Sequence, residues 1–241
     1  MAINGGLGLG YGSKYQLLRM LGWHRDELNK IIAEAINSKN TNIHWLDFGY
    51  KGKYDDQEPL NFDYIPELKD EWKKYWACGS KGGVNWDAIG KVDDTYILVE
   101  AKAHIDELKN KCGATKESKK QIIKCIQGML DDNHIEGKAE DWLERDYQLA
   151  NRLVSIKFLE NKGLKGKLVK GKLVYLLFVN GYERNVKKSK SASREQWKKA
   201  IKEEFERTKI AGTELEKLVH VVFINCVPNQ KHNDKLEYEI L

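Results

Sequence analysis

The chain has 241 residues, 41% hydrophobic and 32% charged, with a net charge of +5 and a pI near 8.8. That length builds one large or two small domains around a substantial core, and the mild basic excess permits a nucleic-acid partner without demanding one. No apolar run approaches the ~18 residues of a membrane span. The start lacks the basic-then-apolar profile of a signal peptide, so a cytoplasmic protein is expected.

Residues 1–12 carry GGLGLGYG. A glycine-rich phosphate cradle needs a strand before it, and none precedes this one, so a flexible arm is expected. Ser13 to Gln16 reads as a capping box opening a helix, with Leu17, Leu18 and Leu21 on its apolar side and Gly22 interrupting it. A second helix is expected over about 24–37, with Leu28, Ile31, Ile32, Ala35 and Ile36 as its buried stripe. Glu27 and Glu34 flank that stripe. Residues 43–50 read as a first strand, and 51–65 as a polar, turn-rich passage. Pro66 suits the first turn of a helix. Trp72, Tyr75 and Trp76 along it are expected in the core rather than stacked on bases.

The stretch 83–104 reads as two strands, 84–92 and 95–103, joined by a turn at Asp93 and Asp94. Side chains alternate between faces along a strand. Asn85, Asp87 and Ile89 therefore share one face of the first strand, and Tyr96, Leu98, Glu100 and Lys102 one face of the second. A hairpin brings Asp87 near Glu100 and Lys102. Two adjacent carboxylates repel, and one binds a proton unless a cation sits between them. Mg²⁺ is commonly held by one or two carboxylates with phosphate and water. Such an ion activates water and polarises a phosphoryl oxygen, and a lysine can orient that water. The competing reading is a surface hairpin with solvated charges.

Residues 105–138 are polar and lysine-rich with one amphipathic piece at about 118–130. They read as a helical insertion that covers the metal or contacts substrate. A long helix is expected over about 139–161, with Leu149, Leu153, Ile156 and Leu159 inward. Gln148, Asn151 and Arg152 lie at i, i+3 and i+4, hence on one face. Their side chains suit phosphates or bases, although a solvated polar stripe has the same spacing. Lys165 and Lys167 belong to a basic turn, and 184–190 is a second basic segment. Both could track phosphates with salt-dependent affinity. The run 173–179 is a strand buried on both faces. Capping boxes at 193–196 and 213–216 open a helix and a short helix, then 219–225 is a last apolar strand before a polar tail. The four cysteines, Cys78, Cys112, Cys125 and Cys226, form no CxxC pair and are expected to be reduced thiols. A zinc site would need scattered ligands such as His104, Cys112, Cys125 and His134.

Asp87, followed after twelve residues by Glu100-Ala101-Lys102, resembles the motif of the PD-(D/E)XK nuclease superfamily, with Trp86 in place of the nominal proline. The resemblance covers about residues 13–180 and is concentrated at 83–104. It implies a three-layer α/β/α domain over 13–241 with a central mixed sheet, a restriction-endonuclease-like core αβββαβ and the insertion at 105–138. It also implies metal-dependent hydrolysis of nucleic acid, DNA before RNA. Asp87 and Glu100 would hold Mg²⁺ or Mn²⁺, Lys102 would position water, Gln148 would stand near the site, and Glu27 or Glu34 would add an acid from the first helices. Asn151, Arg152, Lys165 and Lys167 would contact nucleic acid, and the sequence leaves a homodimer open. Two other readings stand beside this one: an inactive nucleic-acid-binding or assembly module on the same fold, and an unrelated α/β enzyme using the glycine-rich start.

Overall fold

The structure, a computed structural model, describes residues 11–46, 60–76, 83–182, 190–227, 231 and 233–241. The glycine-rich start, the strand expected beyond Leu46, most of the passage 51–65, Cys78 and the basic segment up to residue 189 lie outside the described residues. In chain order the elements are α1 (Gly12–Trp23), α2 (Arg25–Ala35), β1 (His44–Trp45), α3 (Pro66–Trp76), β2 (Ala88–Val92) and β3 (Thr95–Lys102). Then follow α4 (Lys116–Asp132), α5 (Ala139–Arg145), α6 (Tyr147–Lys162), β4 (Lys170–Val179), α7 (Arg194–Arg207), β5 (Val219–Asn225) and β6 (Glu237–Ile240).

The strands make one open, mixed sheet in the order β1-β2-β3-β4-β5-β6. The β3–β4 and β4–β5 pairs are parallel and the others antiparallel. β3, β4 and β5 are nearly continuous apolar runs because helices cover both faces of the sheet. On one side Ile97, Val99, Val174, Leu176, Val222 and Ile224 pack with Leu17, Leu21, Leu28 and Ile32 of α1 and α2. On the other, Leu98, Leu173, Tyr175, Leu177, Val221 and Phe223 pack beneath α3 to α7. Gly171 lets α6 lie close over β4: a Cβ there would stand 2.8 Å from Ile156 Cγ2. Among the described residues no helix is long and apolar enough to cross a membrane.

Several boundaries differ from expectation for identifiable reasons. The box at Ser13 does not form, since Gln16 is buried and gives its amide to the Gly181 carbonyl at 3.0 Å; α1 begins one residue earlier and runs through Gly22. The Ser193 box forms with both reciprocal bonds. Thr213 instead bonds Ile210 and Leu215, and only a short 3₁₀ turn follows at Glu216–Leu218. The expected long helix is two helices broken at Asp146. The polar tail adds a sixth strand, β6, which occupies the free edge of β5. Residues 105–138 form no detached cover. Ile122, Ile126, Met129 and Leu130 of α4 are buried in the main core. Trp72 and Trp76 are buried, and half-exposed Tyr75 packs on Phe158.

Candidate active site

The β2–β3 hairpin sets two acids side by side. Ala88 pairs with Val99, so Asp87 and Glu100, one step further along, face each other across the strands. Side chains of such pairs have Cβ atoms about 5 Å apart. The Ala101 N–H donates to Asp87 Oδ2 at 2.8 Å and anchors that carboxyl at the end of β3. The lead-in to Asp87 is clamped by Asn61. Its Oδ1 accepts the Val84 N–H at 2.9 Å and Trp72 Nε1 at 3.1 Å, and its carbonyl accepts Trp86 Nε1 at 3.1 Å.

Glu100 is 1% exposed and saturated with donors. Lys102 Nζ and Gln148 Nε2 both donate to Oε1. Arg152 donates to Oε2 through Nε at 2.7 Å, with Nη2 at 2.6 Å from the same oxygen. An ionised carboxylate offers about four lone-pair sites, and all are engaged. The Arg152 guanidinium lies 4.6 Å from the centre of the Trp86 ring and gives further bonds to the Asn151 side chain and the Asn85 carbonyl. Trp86 thus provides the platform that orients Arg152.

The break at Asp146 places Gln148 in this network. The segment beside Asn110 and Cys112 takes up the backbone groups freed there. Asn110 N–H donates to the Arg145 carbonyl at 2.8 Å, Cys112 N–H to Leu143 at 2.8 Å, and Tyr147 N–H to Asn110 at 3.3 Å. The Asp146 carboxylate is held by Arg207 at the end of α7. α6 therefore restarts with Gln148 in its first turn, directed at β3. Asn110 accepts the Gln148 N–H and returns its amide to Gln148 Oε1 at 3.0 Å, and Lys102 Nζ reaches the same oxygen at 2.9 Å. These bonds fix which end of the Gln148 amide faces Glu100.

Asp87, Asn85, Asn110, Gln148, Asn151 and Arg152 line an open cavity of about 370 Å³, with Glu100 behind them. Asp87 keeps partial exposure there, yet burial, followed by the charge of Glu100, pushes its carboxyl well above the usual range. Burial would also raise Glu100, but Arg152 and Lys102 outweigh it and hold that carboxyl below its ordinary value. Burial would lower Lys102, and Glu100 and Asp87 together keep it raised and charged. The cluster is thus an ionised Glu100 clasped by two cations, beside an Asp87 that favours its proton. Deeper in, Glu204 of α7 is 1% exposed with Oε2 unpartnered. Burial and then Asp146 push its carboxyl up to about 8.

The structure brings Asp87, Glu100, Lys102, Gln148, Asn151 and Arg152 together. It does not bring Glu27 or Glu34 to them. Both lie on α2, on the opposite face of the sheet. Glu27 accepts the Leu236 N–H at 3.0 Å, and Glu34 accepts the Tyr238 hydroxyl at 2.8 Å. Lys165 and Lys167 sit in the α6–β4 turn at the far end of α6 from Gln148, and Lys165 pairs with Glu67 at 3.3 Å. Among the described residues no group of three or more His, Cys, Asp or Glu side chains is placed to hold a metal. His104 pairs with Glu107, and Cys125 donates to the Tyr75 carbonyl. Asn110 and Asn61 were not foreseen, because each acts through loop backbone that carries no periodic signal. Compared with family models, curated proteins and solved structures, the chain matches none.

Proposed function

We propose that this chain is a metal-dependent nuclease of the PD-(D/E)XK type, hydrolysing phosphodiester bonds of nucleic acid, DNA before RNA. The observation that supports the reading is the clustering of Asp87 and Gln148, which line one cavity, with Glu100 and Lys102 buried directly behind them, from two adjacent strands and the following helix. The order α1, β1, β2, β3, α6, β4 agrees with the αβββαβ core of that superfamily.

The donor set fits a hard divalent cation. Asp87 faces the cavity beside Glu100, where a cation can take the place of the proton that burial and the Glu100 charge favour. Asp87 and Glu100 would hold Mg²⁺ or Mn²⁺, and the bound ion supplies Lewis-acid stabilisation and a more acidic water. Admission requires Glu100 to release one of its donors. Gln148 is the only uncharged one, so its bond is the weakest of the set. Lys102 then orients the water and stabilises charge developing on the phosphoryl group. Asn151 and Arg152, at the cavity wall, contact the phosphate.

A second reading, an inactive nucleic-acid-binding or assembly module, is favoured by one specific observation: Arg152 already neutralises Glu100 inside the protein. Incubating plasmid and single-stranded DNA with Mg²⁺ or Mn²⁺, beside an Asp87→Ala control, separates the two. The nuclease cleaves only with metal and only with Asp87. The module retains DNA without cutting it.

A further inference from the structure

At the opposite end of the sheet lies a second cavity, of about 860 Å³, in which four lysines face two carboxylates. β3 spans eight residues from Thr95, at this basin, to Lys102, at the candidate active site. At roughly 3.3 Å per residue the two sites stand about 23 Å apart. Lys170 and Lys172 project from the start of β4 toward the α1–α2 face, alternating with residues directed at the other side. Lys39 follows the end of α2, and Lys217 precedes β5. Three separate parts of the fold therefore deliver cations to one concavity.

The carboxylates at the rim are already engaged. Asp93 accepts the Asn40 side-chain amide at 2.9 Å, and Glu160 lies 3.4 Å from Lys157 and accepts the Gly171 N–H at 3.4 Å. Among the described residues, Lys39, Lys170 and Lys172 have no carboxylate at ion-pair distance; Lys172 Nζ rests on the Lys217 carbonyl at 3.3 Å. Burial pushes Lys172 below the ordinary lysine range, against the charge of Glu160 and with a smaller push from Lys170. The lining also includes His220. Burial and the charge of Lys172 hold it down to about 4, so it is neutral near pH 7, and its Nε2 is buried without a hydrogen-bond partner. Lys217 is already paired with Glu214, so Lys39, Lys170 and Lys172 are the lysines without an ion pair among the described residues, and their convergence on a concave surface has the character of an anion site. A cavity of this size suits a small molecule.

We propose that this basin is a second ligand site, which takes a small phosphorylated anion of the charge of pyrophosphate or a nucleoside di- or triphosphate. Lys39, Lys170 and Lys172 supply the charge and Thr95 a hydroxyl. The site stands independently of the nuclease reading.

Isothermal titration of the full chain with pyrophosphate and with ATP, metal-free and at about 50 mM salt, tests it. Wild type and Asp87→Asn are expected to bind at least one of the two with Kd below about 1 mM. Lys39→Gln/Lys170→Gln, at two exposed positions where folding is not at risk, is expected to weaken binding about tenfold or more. Lys39→Arg/Lys170→Arg is expected to retain it. Absence of saturable binding, equal affinity in the Gln variant, or loss in Asp87→Asn would overturn the proposal.

Discussion

Arg152 places both Nε and Nη2 on a single oxygen of Glu100, at 2.7 and 2.6 Å, with both side chains buried. On the proposed reading, this pair supplies the positive charge that a divalent ion would otherwise bring. Removing one member of a buried pair typically costs about 3–5 kcal/mol. Arg152→Met should destabilise the metal-free protein on that scale, reduced to the extent that Lys102 and Gln148 still hold Glu100. Mg²⁺ should restore part of the loss by binding the vacated carboxylate. Thermal melts of the variant with and without Mg²⁺ check this, and a melting temperature indifferent to metal would favour the inactive module.

Gln148 and Asn110 share two hydrogen bonds, from the Asn110 side-chain amide to Gln148 Oε1 and from the Gln148 N–H to Asn110 Oδ1. Asn110→Ala should cost about 1 kcal/mol, the net worth of hydrogen bonds between half-buried groups. Because the two residues act through one network, Asn110→Ala and Gln148→Ala should be non-additive by about 0.5–3 kcal/mol in a denaturation cycle. Additive losses would mean that Asn110 does not set the Gln148 amide.

Glu204 gives a pH dependence with a definite sign. Its carboxyl is raised from 4.5 to about 8 by burial, then by Asp146, against Arg207 and Lys102, with Glu100 adding to the rise. Tyr175, raised by burial and by Glu204, faces it from β4. Between those two values the folded state holds more protons than the unfolded state, so stability falls as pH rises. Glu204→Gln should flatten that slope. Wild type and variant should lie closest near about pH 4–5, and the variant should gain several degrees relative to wild type by about pH 9. Parallel melting curves across that window would count against the assignment.

Much of this site is legible in the sequence because it depends on local periodicity. The two-residue period of the hairpin places Asp87 with Glu100 and Lys102, and the i, i+4 spacing places Gln148 with Arg152. What escapes is set by tertiary contact. The helix break at Asp146 arises because Arg207 and the segment beside Asn110 satisfy its free groups, and no local signal marks them. Glu27 follows the helical period of α2 as expected, but which face of the sheet that helix covers is decided by the whole fold. β6 escapes because a short, half-exposed edge strand looks like a tail until β5 offers it an open edge.

The most direct test of the central claim is the rate of metal-dependent DNA cleavage by wild type and Lys102→Ala, measured side by side. Lys102 bonds Glu100 and Gln148 and is held charged beside the cavity. Its removal should leave DNA binding nearly intact, because other lysines carry phosphate contacts, while the rate falls by roughly 10²–10³, the loss of one preorganised electrostatic donor. Lys102→Arg should restore little, since a planar fork does not replace a compact ammonium. Equal rates in wild type and Lys102→Ala, or no metal-dependent cleavage by wild type, would contradict the account.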